Sequence, residues 1–138
     1  MEEKHTHETL EVFARGKELN IGILPNTKVV KYGYSYIDNE FTLFLQGSDE
    51  AAEIIRNCIK DNKALHFHKW ASDGKFITGY GNVKILESEK EMANGLKFIS
   101  NQQADKNFEL YINENDINKN YVFKVLVENT YLMKRLAD

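Results

Sequence analysis

Phe41-Thr-Leu-Phe-Leu-Gln-Gly-Ser-Asp-Glu-Ala-Ala-Glu-Ile-Ile-Arg-Asn-Cys-Ile59 joins two hydrophobic periods across a single glycine. Up to Gln46 the run is aromatic and apolar, with the β-propensity of a buried strand. Past Gly47 the apolar residues Ala51, Ile55, Cys58 and Ile59 fall on the i, i+4, i+7, i+8 stripe of one helix face. Ser48 stands where an N-cap belongs, and Asp49, Glu50 and Glu53 lie in the first turn, where carboxylates complement the helix dipole. The stretch is therefore predicted as strand, tight Gly-Ser turn and helix. The free N–H groups at such a helix start are able to hold a phosphate; an ordinary well-capped connection that binds nothing has the same sequence pattern.

On the N-terminal side of this stretch, Lys28 to Ile37 reads as a strand with Val30, Tyr32, Tyr34 and Tyr36 on one face. Asp38-Asn39 makes a tight turn, so this strand and the Phe41 strand form a hairpin. Earlier still, Leu19 to Leu24 alternates as a strand that Pro25 stops. Leu10, Phe13 and Ala14 mark a short leading helix closed by Gly16. On the C-terminal side, Ala64 to Trp70 is a fourth strand, with His66, His68 and Trp70 on one face and Leu65 and Phe67 on the other. Ser72-Asp73-Gly74 turns the chain into a long strand from Lys75 to Leu86, in which Gly79 and Gly81 signal a bulge or a close approach. Ser88-Glu89-Lys90-Glu91 is a capping box that opens a helix with Met92, Leu96 and Ile99 facing inward. Phe108 to Ile112 is expected as an irregular strand, Asn113 to Asn120 as a polar loop, and Tyr121 to Met133 as the last strand. Strands joined mostly by hairpins, with helices inserted after the third and fifth, suit an antiparallel barrel with peripheral helices better than a parallel α/β sheet.

Composition narrows the function classes. At 138 residues the chain is expected to form one domain, with residues 1–16 as leading helix and tail. A net charge of −3 with scattered basic residues leaves no footprint for nucleic acid or an anionic membrane. The single cysteine, Cys58, allows no internal disulfide and fits a reducing compartment; a small core residue is its simplest role. A polar N-terminus with no apolar stretch behind it predicts neither signal peptide nor anchor, hence a cytoplasmic protein.

The order of these elements, together with the residues in them, resembles the pyridoxamine 5'-phosphate oxidase-like family, the FMN-binding split β-barrels that include general-stress and nitroimidazole-resistance relatives. The resemblance spans residues 17 to 133. It rests on Phe41-Thr-Leu-Phe-Leu-Gln-Gly-Ser48, on Asp61-Asn-Lys-Ala-Leu-His-Phe-His-Lys-Trp70, and on Lys75-Phe-Ile-Thr-Gly-Tyr-Gly-Asn-Val-Lys-Ile-Leu86. It implies a homodimer with FMN at the subunit interface, acting as an oxidoreductase on a small molecule that the sequence does not identify. Gln46, Gly47 and Ser48 match the turn that supplies phosphate donors, and Lys75 matches a basic position opening the fifth strand. Trp70 matches an aromatic on the flavin side, and Lys31 lies on the strand that carries a basic group, with Val30 at the aligned position itself. Where relatives carry a phosphate-neutralising lysine, this chain has Asp49, Glu50 and Glu53; Arg56, one turn on, or Lys28 and Lys31 would have to compensate. That departure supports an alternative, a non-catalytic ligand-binding or stress-response protein on the same dimeric barrel without flavin. A haem- or deazaflavin-binding version is a third.

Other constellations carry less. His66 and His68, two apart on a strand, present two imidazoles with no third ligand at useful spacing, so no metal site is expected. The row Tyr32, Tyr34, Tyr36 is read as core or dimer interface, or as packing for a flavin. No dinucleotide fingerprint, nucleophile elbow or paired-cysteine motif is present, and no catalytic acid or base is nominated.

Overall fold

A computed structural model describes residues 7–71, 74–103 and 122–134. The elements run α1 (His7–Ala14), β1 (Glu18–Ile23), β2 (Asn26–Ile37), β3 (Glu40–Gln46), α2 (Asp49–Lys60), β4 (Leu65–Trp70), β5 (Lys75–Ile85), α3 (Glu89–Gln102) and β6 (Val122–Lys134). The six strands close into an antiparallel barrel in the order β1-β2-β3-β6-β5-β4. The irregular strand and loop expected over 108–120 lie outside the described residues.

Alternation along each strand sends one set of side chains into the barrel and the other outward. Leu19, Ile21, Val30, Tyr32, Leu43, Leu45, Leu65, Phe67, Ile77 and Val125 form the dry interior. Phe13 of α1 enters it with no exposed surface and meets Tyr32, Phe41 and Phe67 edge-on, at centroid distances of 5.9, 5.0 and 6.0 Å. The amphipathic stripe of α2 adds Ala51, Ala52 and Ile55 to the same core.

β3 is buried on both faces because α3 covers the barrel wall outside it. Phe44 stacks on Phe98 at 4.9 Å, and Leu86, Leu96, Ile99 and Val122 complete this second cluster. The close contact demands a glycine on β2: a Cβ on Gly33 would lie 2.3 Å from the backbone of Phe98. α3 is capped by Ser88, whose Oγ accepts from Glu91 N at 3.1 Å, while the Glu91 carboxylate takes the N–H of Glu87 rather than that of the cap residue. The expected glycine irregularity in β5 is a register shift between Tyr80 and Gly81.

Candidate functional site

The outer surface where β1, β2 and β3 reach α2 carries a cleft of about 460 Å³, open to solvent and lined by Glu18, Val29, Val30, Lys31, Gln46, Gly47 and Ser48. Strand register explains the grouping. Glu18 pairs with Lys31 across β1 and β2, and Lys31 pairs with Gln46 across β2 and β3, so the three form one outward-facing row. Val30, one residue away, points inward to the core. The outward position of Lys31 therefore belongs to the cleft, although Val30 is the residue aligned with the basic position.

Gly47 and Ser48 turn the chain from β3 into α2. A Cβ on Gly47 would stand 2.8 Å from both Ala51 Cβ and Val30 Cγ1, so the absence of a side chain lets α2 start flush against β2. Ser48 is extended, at φ −69° and ψ 173°, and its Oγ accepts from Ala51 N at 3.3 Å. Its hydroxyl proton stays available for a ligand on the open side. The acidic first turn is partly neutralised from β2: Lys28 Nζ lies 2.9 Å from Glu50, holding that carboxyl below its usual range by hydrogen bonding and charge. Lys28 is thereby engaged, and Lys31 is the lysine that faces the cleft.

Of the seven residues nominated from sequence, Lys31, Gln46, Gly47 and Ser48 come together here. Arg56 is exposed on α2, at the edge of its buried stripe, and does not line the cleft. Lys75 opens β5 opposite Lys134, and its carbonyl accepts from Ala71 N at 2.9 Å, closing the β4–β5 turn away from the cleft. Trp70 is half-exposed on the outer face of β4, with Phe76 at 4.7 Å. The β1–β4 register, Asn20 with His68 and Ile21 with Phe67, extended by two residues sets Trp70 level with Glu18 on the same outward face. Trp70 thus lies beyond β1 from Lys31. Its row continues through Phe76 to Met133, and the neighbouring Tyr131 is also exposed.

Sequence reasoning missed Glu18 as a cleft residue. It stands between two nominated positions, Lys31 and Trp70, but only strand pairing reveals that; the clue available in the sequence was its place at the start of an alternating strand facing a lysine-bearing one.

The two histidines part company. His66 is exposed, whereas His68 is buried, with Nε2 3.0 Å from the Gly22 carbonyl and Nδ1 2.9 Å from Thr78 Oγ1. A carbonyl can only accept, so Nε2 carries the proton and a neutral Nδ1 accepts from the threonine. Burial lowers the imidazole pKa, against the pull of the Gly22 carbonyl. Among the described residues no group of three or more His, Cys, Asp or Glu could hold a metal ion. Cys58 is half-buried with its Sγ 3.7 Å from the Ala64 carbonyl, and burial pushes its thiol up, which disfavours the thiolate a nucleophile needs. No described helix is long and apolar enough to cross a membrane.

No family model and no curated protein matches the sequence. Solved structures do. A protein from Bacteroides thetaiotaomicron assigned to 5-nitroimidazole antibiotic resistance superposes with a TM-score of 0.60 at 14% identity, over 94% of this chain and 83% of that one. A conserved hypothetical protein from Mycobacterium tuberculosis gives 0.64 at 13% identity, over 97% and 88%. A NimC/NimA family protein from Clostridium acetobutylicum gives 0.55 at 11% identity, over 97% and 96%. At these identities the likeness is one of fold, and it extends over nearly the whole chain. With its closed six-stranded antiparallel barrel and peripheral helices, the chain has the split β-barrel fold of the pyridoxamine 5'-phosphate oxidase-like proteins.

Proposed function

We propose that the chain is a flavin-binding split-barrel protein that takes FMN through its phosphate and works as an oxidoreductase on a small molecule. The observation that carries this reading is the cleft itself, where one lysine, one serine hydroxyl and the Gln46-Gly47 turn meet at the start of α2. Lys31 and the hydroxyl of Ser48 would hold the phosphate, with the N-terminal amides of α2 adding partial positive charge. The ring system would extend along the same outer face toward Trp70 and Phe76. FMN would supply the electron-transfer chemistry, and the protein the binding, orientation and electrostatics. Arg56 and Lys75 stay outside the cleft and enter this reading only through a partner subunit.

A homodimer fits the same reading. Trp70, Tyr131 and Met133 are exposed by 54%, 54% and 45%, forming an aromatic strip on the barrel wall that a second copy would cover. A cytoplasmic location completes the proposal.

One observation favours the second reading, a ligand-binding or stress-response protein without flavin. Asp49 and Glu50 stand in the first turn of α2, and the cation that answers Glu50 comes from Lys28, leaving little positive charge for a dianion. Titration of the purified protein with FMN, following flavin fluorescence with riboflavin as the phosphate-free control, separates the two. Micromolar FMN binding with much weaker riboflavin binding is the expected result. Equal binding of the two would discard the phosphate site while leaving a flavin-ring site, and binding of neither would favour the flavin-free reading.

A further inference from the structure

The cleft holds a carboxylate where a phosphate site would be expected to hold cations only. Among the described residues lining it, Lys31 carries the positive charge and Glu18 the negative one. They are direct partners across β1 and β2, the geometry in which opposite charges attract on a sheet face. Among the surrounding charges, Lys69 attracts the Glu18 carboxylate from the inner side of the wall. From β2, Lys28 is held at 2.9 Å by Glu50. From α2, Asp49, Glu50 and Glu53 add negative charge outside the lining. From β4, Lys69 approaches from inside the barrel, its Nζ 3.3 Å from the backbone carbonyl of Glu18, and it does not line the cleft.

We propose that Glu18 is a specificity-determining residue of this anion site. Its carboxylate competes with an incoming phosphoryl group for Lys31 and repels that group directly, so the site holds a phosphoryl-bearing ligand as an exchangeable molecule rather than a permanently seated one. The inference rests on reading the cleft as a phosphate site. A carboxylate facing a phosphate weakens binding in proportion to the ligand's charge, and leaves an uncharged analogue untouched. The open shape of the cleft, with Val29 exposed at its rim, suits a ligand that enters and leaves.

The experiment measures FMN and riboflavin binding to the full chain at neutral pH and low salt, for the wild type, Glu18→Gln and Glu18→Asp. Glu18→Gln should tighten FMN by about fivefold and leave riboflavin unchanged, as expected for one like charge removed at a solvent-exposed distance. Glu18→Asp, which keeps the charge, should behave as the wild type. The gain should shrink with added salt, since screening weakens exposed charge pairs. A wild type that prefers FMN, with no further gain in Glu18→Gln, overturns the role of Glu18 and leaves the phosphate site standing. Equal tightening of FMN and riboflavin also overturns it, because the effect would then be one of shape. If neither the wild type nor Glu18→Gln prefers FMN, the phosphate reading of the cleft falls and this inference falls with it.

Discussion

Two lysines approach Glu18 from opposite sides of the barrel wall, and their surroundings differ in kind. Lys69 points inward from β4. Only 6% of it is exposed, its Nζ reaches the Glu18 carbonyl at 3.3 Å, and it lies 5.0 Å from the centre of the Tyr32 ring. Burial lowers its amine pKa, with the Glu18 charge pulling the other way. Lys31 is exposed on the outward side of β2, lines the cleft and is the register partner of Glu18. The inner lysine belongs to a polar knot that satisfies the end of α1. There the Tyr32 hydroxyl donates to the Phe13 carbonyl and lies 3.0 Å from that of Arg15, and Gln102 Nε2 donates to the Gly16 carbonyl at 2.7 Å. Helix ends leave carbonyls without intrahelical partners, and these side chains answer them. The comparison teaches that a cation in this barrel is held by the protein's own groups when the wall encloses it, and is available to a ligand when its strand turns it out.

The largest effect should come from emptying the inner side. Tyr32 is fully buried, and its phenol is pushed up by burial and by Tyr34. Tyr32→Ala should cost about 4 kcal/mol of unfolding free energy in a urea titration, from the cavity and the stranded carbonyls. A loss under 1 kcal/mol would mean that the knot is not structural. Next, Gly47→Val tests the point where the two sides touch, since its side chain would run into Ala51 and Val30. It should cost about 2 kcal/mol and weaken FMN binding as well. Stability loss with ligand binding intact would separate the turn from the site.

Lys31→Met should do the reverse of Tyr32→Ala: FMN binding falls by about tenfold, as for loss of one charged hydrogen bond, while the urea midpoint hardly moves. An unchanged FMN affinity would remove Lys31 from the site. Lys69→Met replaces a buried amine with an apolar chain of similar length and should raise stability by about 1 kcal/mol; a loss of that size would show that its bond to the Glu18 carbonyl outweighs its desolvation.

The smallest effect is one of pH. The His68 pKa is lowered by burial, so the folded state binds its proton less readily than the unfolded chain does. Its contribution is complete above the unfolded value near 6.5 and is lost as the pH falls through the folded one. Thermal melts should therefore show a lower midpoint at pH 5 than at pH 7, and His68→Gln should reduce that difference. An identical slope in the variant would assign the acid sensitivity to other groups.

Much of the architecture was legible from local chemistry. Ser48 and Ser88 cap their helices, Gly79 and Gly81 flank the β5 irregularity, and alternation in β4 puts Phe67 inside with His66 and Trp70 outside. Each of these is set by residues within one or two turns of each other. The site was half legible: the Gln46-Gly47-Ser48 turn is contiguous in the chain and carries its own signal. Glu18 was invisible because its partner, Lys31, is set by strand register. Arg56 and Trp70 were chosen by nearness in sequence or alignment; Arg56 is exposed on α2 outside the cleft lining, and Trp70 shares the outward face of Glu18 but lies one strand beyond it.

Sequence by itself determined the element types, the caps and which strand faces are apolar, because propensity, hydrogen-bond capping and side-chain period act over a few residues. Only the tertiary structure decided that Glu18, Lys31 and Gln46 share one row, that Lys28 is spent on Glu50, and that Lys69 is enclosed while Lys31 is free to meet a ligand. The reason is geometric: barrel closure and strand register bring together residues far apart in the chain, and a one-residue change of register would turn each of these charges to the other side of the wall.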